Sequence, residues 1–328
     1  MRYVIYGTGA IGGTIAARLC RAGMDVVAIA RGQHLDAIKS RGLRLESPNE
    51  SFTVRVRGIG HPAELDWEPD DVVFMCMKTH DSEKALCELR LATGSGIPVI
   101  CAQNGVANER MALRRFDRVY AMVVMLPASH LEPGVIVAQS KAAPGILDLG
   151  CYPEGIDARA ERIAADLEVA GFSARPDARV MRLKYTKLLM NLANALRATC
   201  APGPSMDDIL AQGRDEGERC LAAAGIDYAS AAEFAERRGD LIQPAAVSGR
   251  ERSGSSSWQS LARRTGSIEA DYLNGEIVLL GRIHGIPTPV NASLQGVANE
   301  VAAARGGPAS YPLDELERRI EARQSGAA

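Results

Sequence analysis

Arg2-Tyr3-Val4-Ile5-Tyr6-Gly7-Thr8-Gly9-Ala10-Ile11-Gly12 opens with an apolar, β-branched run and closes on G-x-G-x-x-G. A strand that feeds a glycine turn, which in turn opens a helix predicted over Ile11–Ala22, gives that pattern a mechanical meaning. The first glycine permits the tight turn and the second lets a pyrophosphate approach the backbone. The third lets helix and strand pack closely, with the helix N-terminus facing the phosphates. Gly7, Thr8, Gly9, Ala10, Ile11 and Gly12 are therefore candidate dinucleotide contacts.

Working outward, the first half keeps the same rhythm. Strands are predicted at Arg2–Tyr6, Asp25–Ala30, Val72–Met77, Pro98–Ala102 and Val119–Met125, with a further helix at His34–Arg41. Strand, helix, strand reads as a parallel α/β sheet. Around Val135–Val137 and Ile146–Leu149 no long helix intervenes, so the sheet is expected to finish in a more antiparallel manner. From Val180 onward helical spacing takes over, at Arg182–Ala198, Met206–Ala224, Ser230–Arg238, Ile268–His284 and Ala292–Arg305. Ser248–Ser257 is glycine/serine-rich and reads as a loop. The expected fold is an α/β domain with a parallel sheet over 1–178 followed by an all-helical domain over 179–328, with the boundary near Pro176-Asp177.

Ligands on open α/β sheets bind outside the carboxyl ends of the strands, so those ends carry the next clues. The second strand ends Ile29-Ala30-Arg31-Gly32, a cation where an NAD site carries Asp or Glu. Arg31 suits the 2′-phosphate of NADP. The third ends Cys76-Met77-Lys78-Thr79, where Lys78 can neutralise phosphate charge. The fourth ends Cys101-Ala102-Gln103-Asn104-Gly105, where Asn104 can hold the nicotinamide end or a substrate.

Composition excludes several classes. The chain has 328 residues, a formal net charge of −2 and 46% hydrophobic residues, a balance suited to two globular domains rather than disorder or nucleic-acid binding. No apolar run approaches the length of a membrane span, and the immediate start of the glycine motif argues against a secretory leader. Seven cysteines without CxxC spacing point to reduced thiols and a cytoplasmic setting. Neither zinc-ligand spacing nor a G-x-S-x-G elbow is present, so no metal is expected.

In the helical half, Lys187, Asn191 and Asn194 stand at i, i+4 and i+7 among Leu, Met and Ala. They share one helix face, and asparagine there reads as the polar wall of a cleft rather than a solvated surface. When hydride reaches a ketone carbon the oxygen needs a proton. A partly desolvated lysine, whose pKa falls, can supply it, which makes Lys187 the candidate acid. His34, His61, His130 and His284 read as surface residues, and the role of His80 is left open. Ser257 reads equally as a helix N-cap or a substrate contact. Glu269 follows a break at Gly266, with Ser267 capping the next helix.

Taken together, these blocks resemble the ketopantoate reductase (2-dehydropantoate 2-reductase) family. The resemblance rests on Gly7–Gly13, Arg31, Lys78-Thr79, Gln103-Asn104-Gly105, Lys187-Leu-Leu-Met-Asn191, Ser255-Ser-Ser-Trp-Gln259 and Glu269-Ala-Asp-Tyr-Leu-Asn-Gly275, in the family's order. It implies an NADPH-binding Rossmann domain joined to a helical domain like that of 6-phosphogluconate dehydrogenases, with catalysis between them. It further implies Lys187 as general acid with Glu269 in the same catalytic set, and Asn104, Asn191 and Ser257 as substrate contacts beside Asn194. Arg31 and Lys78 would serve the cofactor. Two departures touch the substrate side. Ala195 stands where the family commonly has a second asparagine, with Asn194 one residue early. Gly254 replaces an asparagine often found three residues before the serine. The expected reaction is NADPH-dependent reduction of a small 2-oxo acid, most simply ketopantoate to pantoate. The alternatives are a dehydrogenase of another 2- or 3-hydroxy acid, and a non-catalytic NADPH-binding regulator. A homodimer through the helical half and movement of the 248–257 loop are left open.

Overall fold

The computed structural model describes residues 1–247 and 254–326. In chain order the first elements are β1 (Arg2–Tyr6), α1 (Ala10–Arg21), β2 (Asp25–Ile29), α2 (Gly32–Arg41), β3 (Leu43–Glu46), β4 (Ser51–Val54) and β5 (Arg57–Ile59). Then come β6 (Asp71–Met75), α3 (Thr79–Thr93), β7 (Val99–Cys101), α4 (Asn108–Leu113), β8 (Val119–Met122), β9 (Ala128–Glu132), β10 (Val135–Ala138), β11 (Leu149–Cys151) and α5 (Ala158–Val169). The helical portion runs α6 (Val180–Asn191), α7 (Ala193–Thr199), α8 (Met206–Ala223), α9 (Ala231–Arg238), α10 (Ser256–Ala262), α11 (Asn274–His284), α12 (Pro289–Ala303) and α13 (Leu313–Gln324). A 3₁₀ turn at Glu269–Tyr272 precedes α11.

The described residues divide into two compact units, one of Met1–Lys184 with 229–247, the other of Tyr185–Tyr228 with 254–326. In the first, seven strands run β11-β8-β7-β6-β1-β2-β5, all parallel except β11, which pairs antiparallel with β8. Counting only the parallel strands in chain order, this is the doubly wound order 3-2-1-4-5-6, whose switch point lies between β1 and β6. Both faces of the sheet are buried. Tyr3, Ile5, Phe74 and Ile100 pack on one side, and Val4, Val27, Val73 and Val99 on the other. That explains why these strands read as unbroken apolar runs.

A second sheet, ordered β4-β3-β10-β9, packs against α1. A Cβ on Gly13 would lie 2.6 Å from the Ile136 side chain, which shows how closely β10 approaches that helix. Sequence reading had assigned Val135–Val137 to the end of one sheet. β11 does finish the seven-stranded sheet antiparallel to β8, whereas β10 lies in the second sheet, antiparallel to β9 and parallel to β3.

The 229–247 segment differs from the 1–178/179–328 partition because it packs back on the first unit. Arg237 of α9 forks onto Asp148 with two 2.5 Å hydrogen bonds, both side chains buried, and Arg182 pairs with Glu233. Backbone bonds from Lys141 to Gln243 and from Ala245 to Gln139 continue the attachment.

In the second unit, Ala195, Leu196, Leu261, Val290, Leu294, Val297 and Leu316 form the core joining α7, α10, α12 and α13. Glu216 of α8 caps α12: its carboxylate accepts from the backbone N–H groups of Val290 and Asn291 at 2.8 and 2.9 Å. Burial pushes the Glu216 carboxyl up, against the lowering effect of those donors. Among the described residues no helix is long and apolar enough to cross a membrane, and all seven cysteines are free.

Candidate active site

The first unit gathers one group of candidate residues at the carboxyl ends of β2, β1, β6 and β7. Gly7 sits at φ +94°, and a Cβ there would lie 2.6 Å from the Met77 backbone nitrogen, directly at the switch point. Only glycine combines that backbone with that approach. A Cβ on Gly12 would fall 2.4 Å from the Gly7 carbonyl oxygen, so the third glycine permits the turn to pack on its own helix. Gly9, by contrast, faces open space. The cradle has the shape that a diphosphate needs, with room above the second glycine and the N-terminus of α1 beneath it. Thr8 Oγ1 donates to the Ile29 carbonyl at 3.0 Å and ties the loop to β2.

Arg31 precedes α2 with its side chain 72% exposed, 3.6 Å from Asp81 in the first turn of α3. An ion pair this open contributes about 0–1 kcal/mol and leaves the guanidinium available to a phosphate. Lys78 directly precedes α3 and Asn104 follows β7. Their two loops are locked together by buried amides. Gln103 Nε2 donates to the Met77 carbonyl and to Ser82 Oγ, both at 2.8 Å, Ser82 Oγ donates to Asn108 Oδ1, and Asn108 Nδ2 donates to Thr79 Oγ1. Ser82 and Asn108 are not legible in the sequence, being polar residues in early helix turns, where nothing local distinguishes buried from exposed; Gln103 is legible only as part of a strand end.

A lysine also went unrecognised. Lys184 Nζ lies 2.8 Å from Glu109 Oε1 and donates to the Gln103 and Met122 carbonyls at 2.9 and 3.1 Å, and the two charged side chains are 2% and 0% exposed. Held by an ion pair and two carbonyl acceptors, all buried, it is an anchor rather than a proton donor. It fastens the start of α6 to the ends of β7 and β8.

The second unit holds the other group. Lys187 is half-buried on α6, and the expected helix carries on into α7 past a one-residue interruption at Leu192, whose φ −57° and ψ −30° are still helical. The interruption needs no glycine or proline. Asn274, fully buried at the start of α11, donates from Nδ2 to the Leu192 carbonyl at 3.1 Å and to Asn291 Oδ1 at 3.0 Å, and Asn291 in turn donates to Glu216. Across the interruption Asn194 Nδ2 still reaches Asn191 Oδ1 at 3.3 Å. Among the described residues no acceptor meets the buried Asn191 Nδ2. Met190, one of the apolar residues between Lys187 and Asn191, is 48% exposed.

Ser257 is buried in the first turn of α10, a helix packed against α7. Ser255, not Ser257, is the N-cap, accepting from the Trp258 N–H. The loop expected over 248–257 is thus helical at its end, and 248–253 lie outside the described residues. Glu269 opens the 3₁₀ turn, with Ile268 rather than Ser267 before it. Both departures from the family pattern have local packing reasons. A Cβ at Gly254 would lie 2.6 Å from Trp258 Cγ, and Ala195 sits in the core.

His34 and His130 are not free surface residues either: their rings pack with centroids 4.1 Å apart. Among the described residues no group of three or more His, Cys, Asp or Glu could hold a metal ion.

Residues 3–154 match the family described as "Ketopantoate reductase PanE/ApbA", and 179–302 match its C-terminal counterpart. A 2-dehydropantoate 2-reductase of Mesorhizobium japonicum is 30% identical over 93% of this chain and 99% of its own length. The crystal structure of a PanE/ApbA family ketopantoate reductase from Ralstonia eutropha JMP134 has TM-score 0.79 at 27% identity, covering 93% of this chain and 99% of that one. D-mandelate dehydrogenase with NADH and anilino(oxo)acetate shares the fold, with TM-score 0.77 at 21% identity over 93% of this chain and 99% of that one.

Proposed function

The chain belongs to the ketopantoate reductase family, an oxidoreductase family acting on CH–OH groups, and from that premise we propose that it reduces 2-dehydropantoate to pantoate with NADPH. The observation that carries the reading is the glycine cradle at the switch point, with Arg31 at the end of the neighbouring strand. Gly7–Gly12 would hold the diphosphate, Arg31 the 2′-phosphate, Lys78 the phosphate charge and Asn104 the nicotinamide end or the substrate. A bound nicotinamide supplies the hydride that reduces the carbonyl carbon.

The residues of this chain supply the rest. Lys187 gives its Nζ proton to the carbonyl oxygen as that oxygen becomes an alkoxide, and a positioned acid of this kind is worth about 10²–10⁴-fold in rate. The Asn191 Nδ2, without an acceptor of its own, donates to the substrate. Asn194 orients Asn191, and Ser257 and Glu269 complete the polar wall. Family membership favours catalysis over the binding-only alternative.

A second reading, a different small 2-oxo acid, is favoured by Gly254 and Ala195, because a side chain at Gly254 meets Trp258 and Ala195 is buried in an apolar core. Following NADPH oxidation with ketopantoate against a panel of 2-oxo acids separates the two, and absent turnover of ketopantoate overturns the first. Full turnover by Lys187→Ala would remove the lysine from the mechanism.

A further inference from the structure

His34 lies in the first turn of α2 and touches two other elements. Its Nε2 is 2.6 Å from the carbonyl oxygen of Thr8, inside the glycine loop. Its Nδ1 is 2.9 Å from the backbone nitrogen of Gly134, in the turn between β9 and β10. The two partners fix the tautomer: a peptide N–H can only donate and a peptide carbonyl can only accept. Nδ1 therefore carries the lone pair and Nε2 carries the proton. The His130 ring on β9 packs against the imidazole.

The hairpin end of this bridge is rigid. Gly134 sits at φ +82°, a Cβ there would lie 2.9 Å from the Ala37 side chain, and its carbonyl accepts from the Arg44 N–H. The loop end carries the peptide unit just before the helix N-terminus that faces the phosphates. The Thr8–Gly9 peptide is held from both sides, because the Gly9 N–H donates back to the Gly7 carbonyl at 2.8 Å.

We propose that His34 is a positioning residue for dinucleotide binding: by holding the Thr8 carbonyl against a fixed hairpin, it keeps the Gly7–Gly12 turn in its diphosphate-receiving form. The inference rests on a dinucleotide binding at that loop. His34 touches no substrate; it acts through Thr8. Preorganising the loop reduces the ordering cost of binding, so the effect falls on cofactor affinity rather than on turnover.

The two contacts can be separated. In the full chain, His34→Asn retains an acceptor near Nδ1 and loses the Thr8 contact, whereas His34→Gln retains a donor near Nε2. Calorimetric titration with NADPH, with ADP-ribose and with adenosine 2′-monophosphate, which has no diphosphate, reads the difference. The expected result is about a fivefold weaker Kd for NADPH and ADP-ribose in His34→Asn, the size of one hydrogen bond. His34→Gln restores affinity to within about twofold, and 2′-AMP binding is alike in all three proteins. His34→Ala, which loses both contacts, gives the same comparison if the asparagine variant does not fold. Equal NADPH affinity across the variants, or an equal loss for 2′-AMP, overturns the inference alone. Failure of the wild-type protein to bind any dinucleotide overturns the reading beneath it as well.

Discussion

Glu109→Ala leaves the Lys184 ammonium buried beside the Gln103 and Met122 carbonyls, without its counter-charge. Water cannot replace the carboxylate at a site where the two side chains are 2% and 0% exposed. Breaking a buried pair by removing one partner costs about 3–5 kcal/mol, mostly the penalty of the stranded charge. At about 2–4 °C per kcal/mol for a unit of this size, the melting temperature falls by about 6–20 °C. The double variant Glu109→Leu/Lys184→Met removes both charges and keeps apolar volume, so it recovers most of that loss. Scanning calorimetry and urea unfolding of wild type, Glu109→Leu, Lys184→Met and the double variant close the cycle, with Glu109→Ala measured beside them. If Glu109→Ala lies within about 1 kcal/mol of wild type, or the double variant loses the sum of the two singles, the pair is not coupled and the argument fails.

Three further expectations follow from particular contacts. Arg31→Asp should shift cofactor preference from NADPH toward NADH, read as the ratio of kcat/KM values; an unchanged ratio would remove Arg31 from the 2′-phosphate site. Asn274→Ala, which leaves the Leu192 carbonyl and Asn291 Oδ1 without this donor, should cost about 1–3 kcal/mol in urea unfolding and raise the oxo-acid KM while NADPH Kd holds. Matching losses in both ligands would refute the local account. Burial holds the His34 imidazole below its ordinary value, opposed by the Thr8 carbonyl, so the unfolded chain binds its proton first as pH falls. The neutral ring therefore adds stability above about pH 6.5 that is lost as pH drops through the lower folded value. His130 is the titratable ring packed on it. His34→Gln should show a shallower fall in melting temperature between pH 8 and 5, and identical slopes would count against the neutral tautomer.

Sequence signals were good wherever the physics was local. β1, the glycine turn and α1 declare themselves because an apolar run, a φ-permissive residue and helical spacing follow one another directly. The parallel strands β2, β6, β7 and β8 were legible for the same reason, since burial on both faces leaves unbroken apolar runs. The second sheet was not. Its strands β3, β4 and β9 mix buried and exposed residues, so they leave no unbroken apolar run, and β3 finds its partner β10 far along the chain. The interruption at Leu192 was hidden because the donor that meets its carbonyl, Asn274, is distant in sequence. Lys184 and His34 were misjudged or passed over because a charged or titratable side chain reads as surface until its partners are known, and Glu109 and Gly134 lie far along the chain. The candidate cofactor residues could be named because strand ends are predictable, whereas the amides that fix their loops could not.

The return of 229–247 to the first unit bears on modular exchange between relatives. The chain passes from one unit to the other three times, so neither unit is a single contiguous segment. A chimera joined by one crossover near residue 180 would take Arg237 from one parent and Asp148 from the other, pairing a buried guanidinium with whatever that parent carries. Recombination that respects the fold exchanges 185–228 together with the residues from 254 onward, and leaves α9 with the Rossmann sheet that it neutralises.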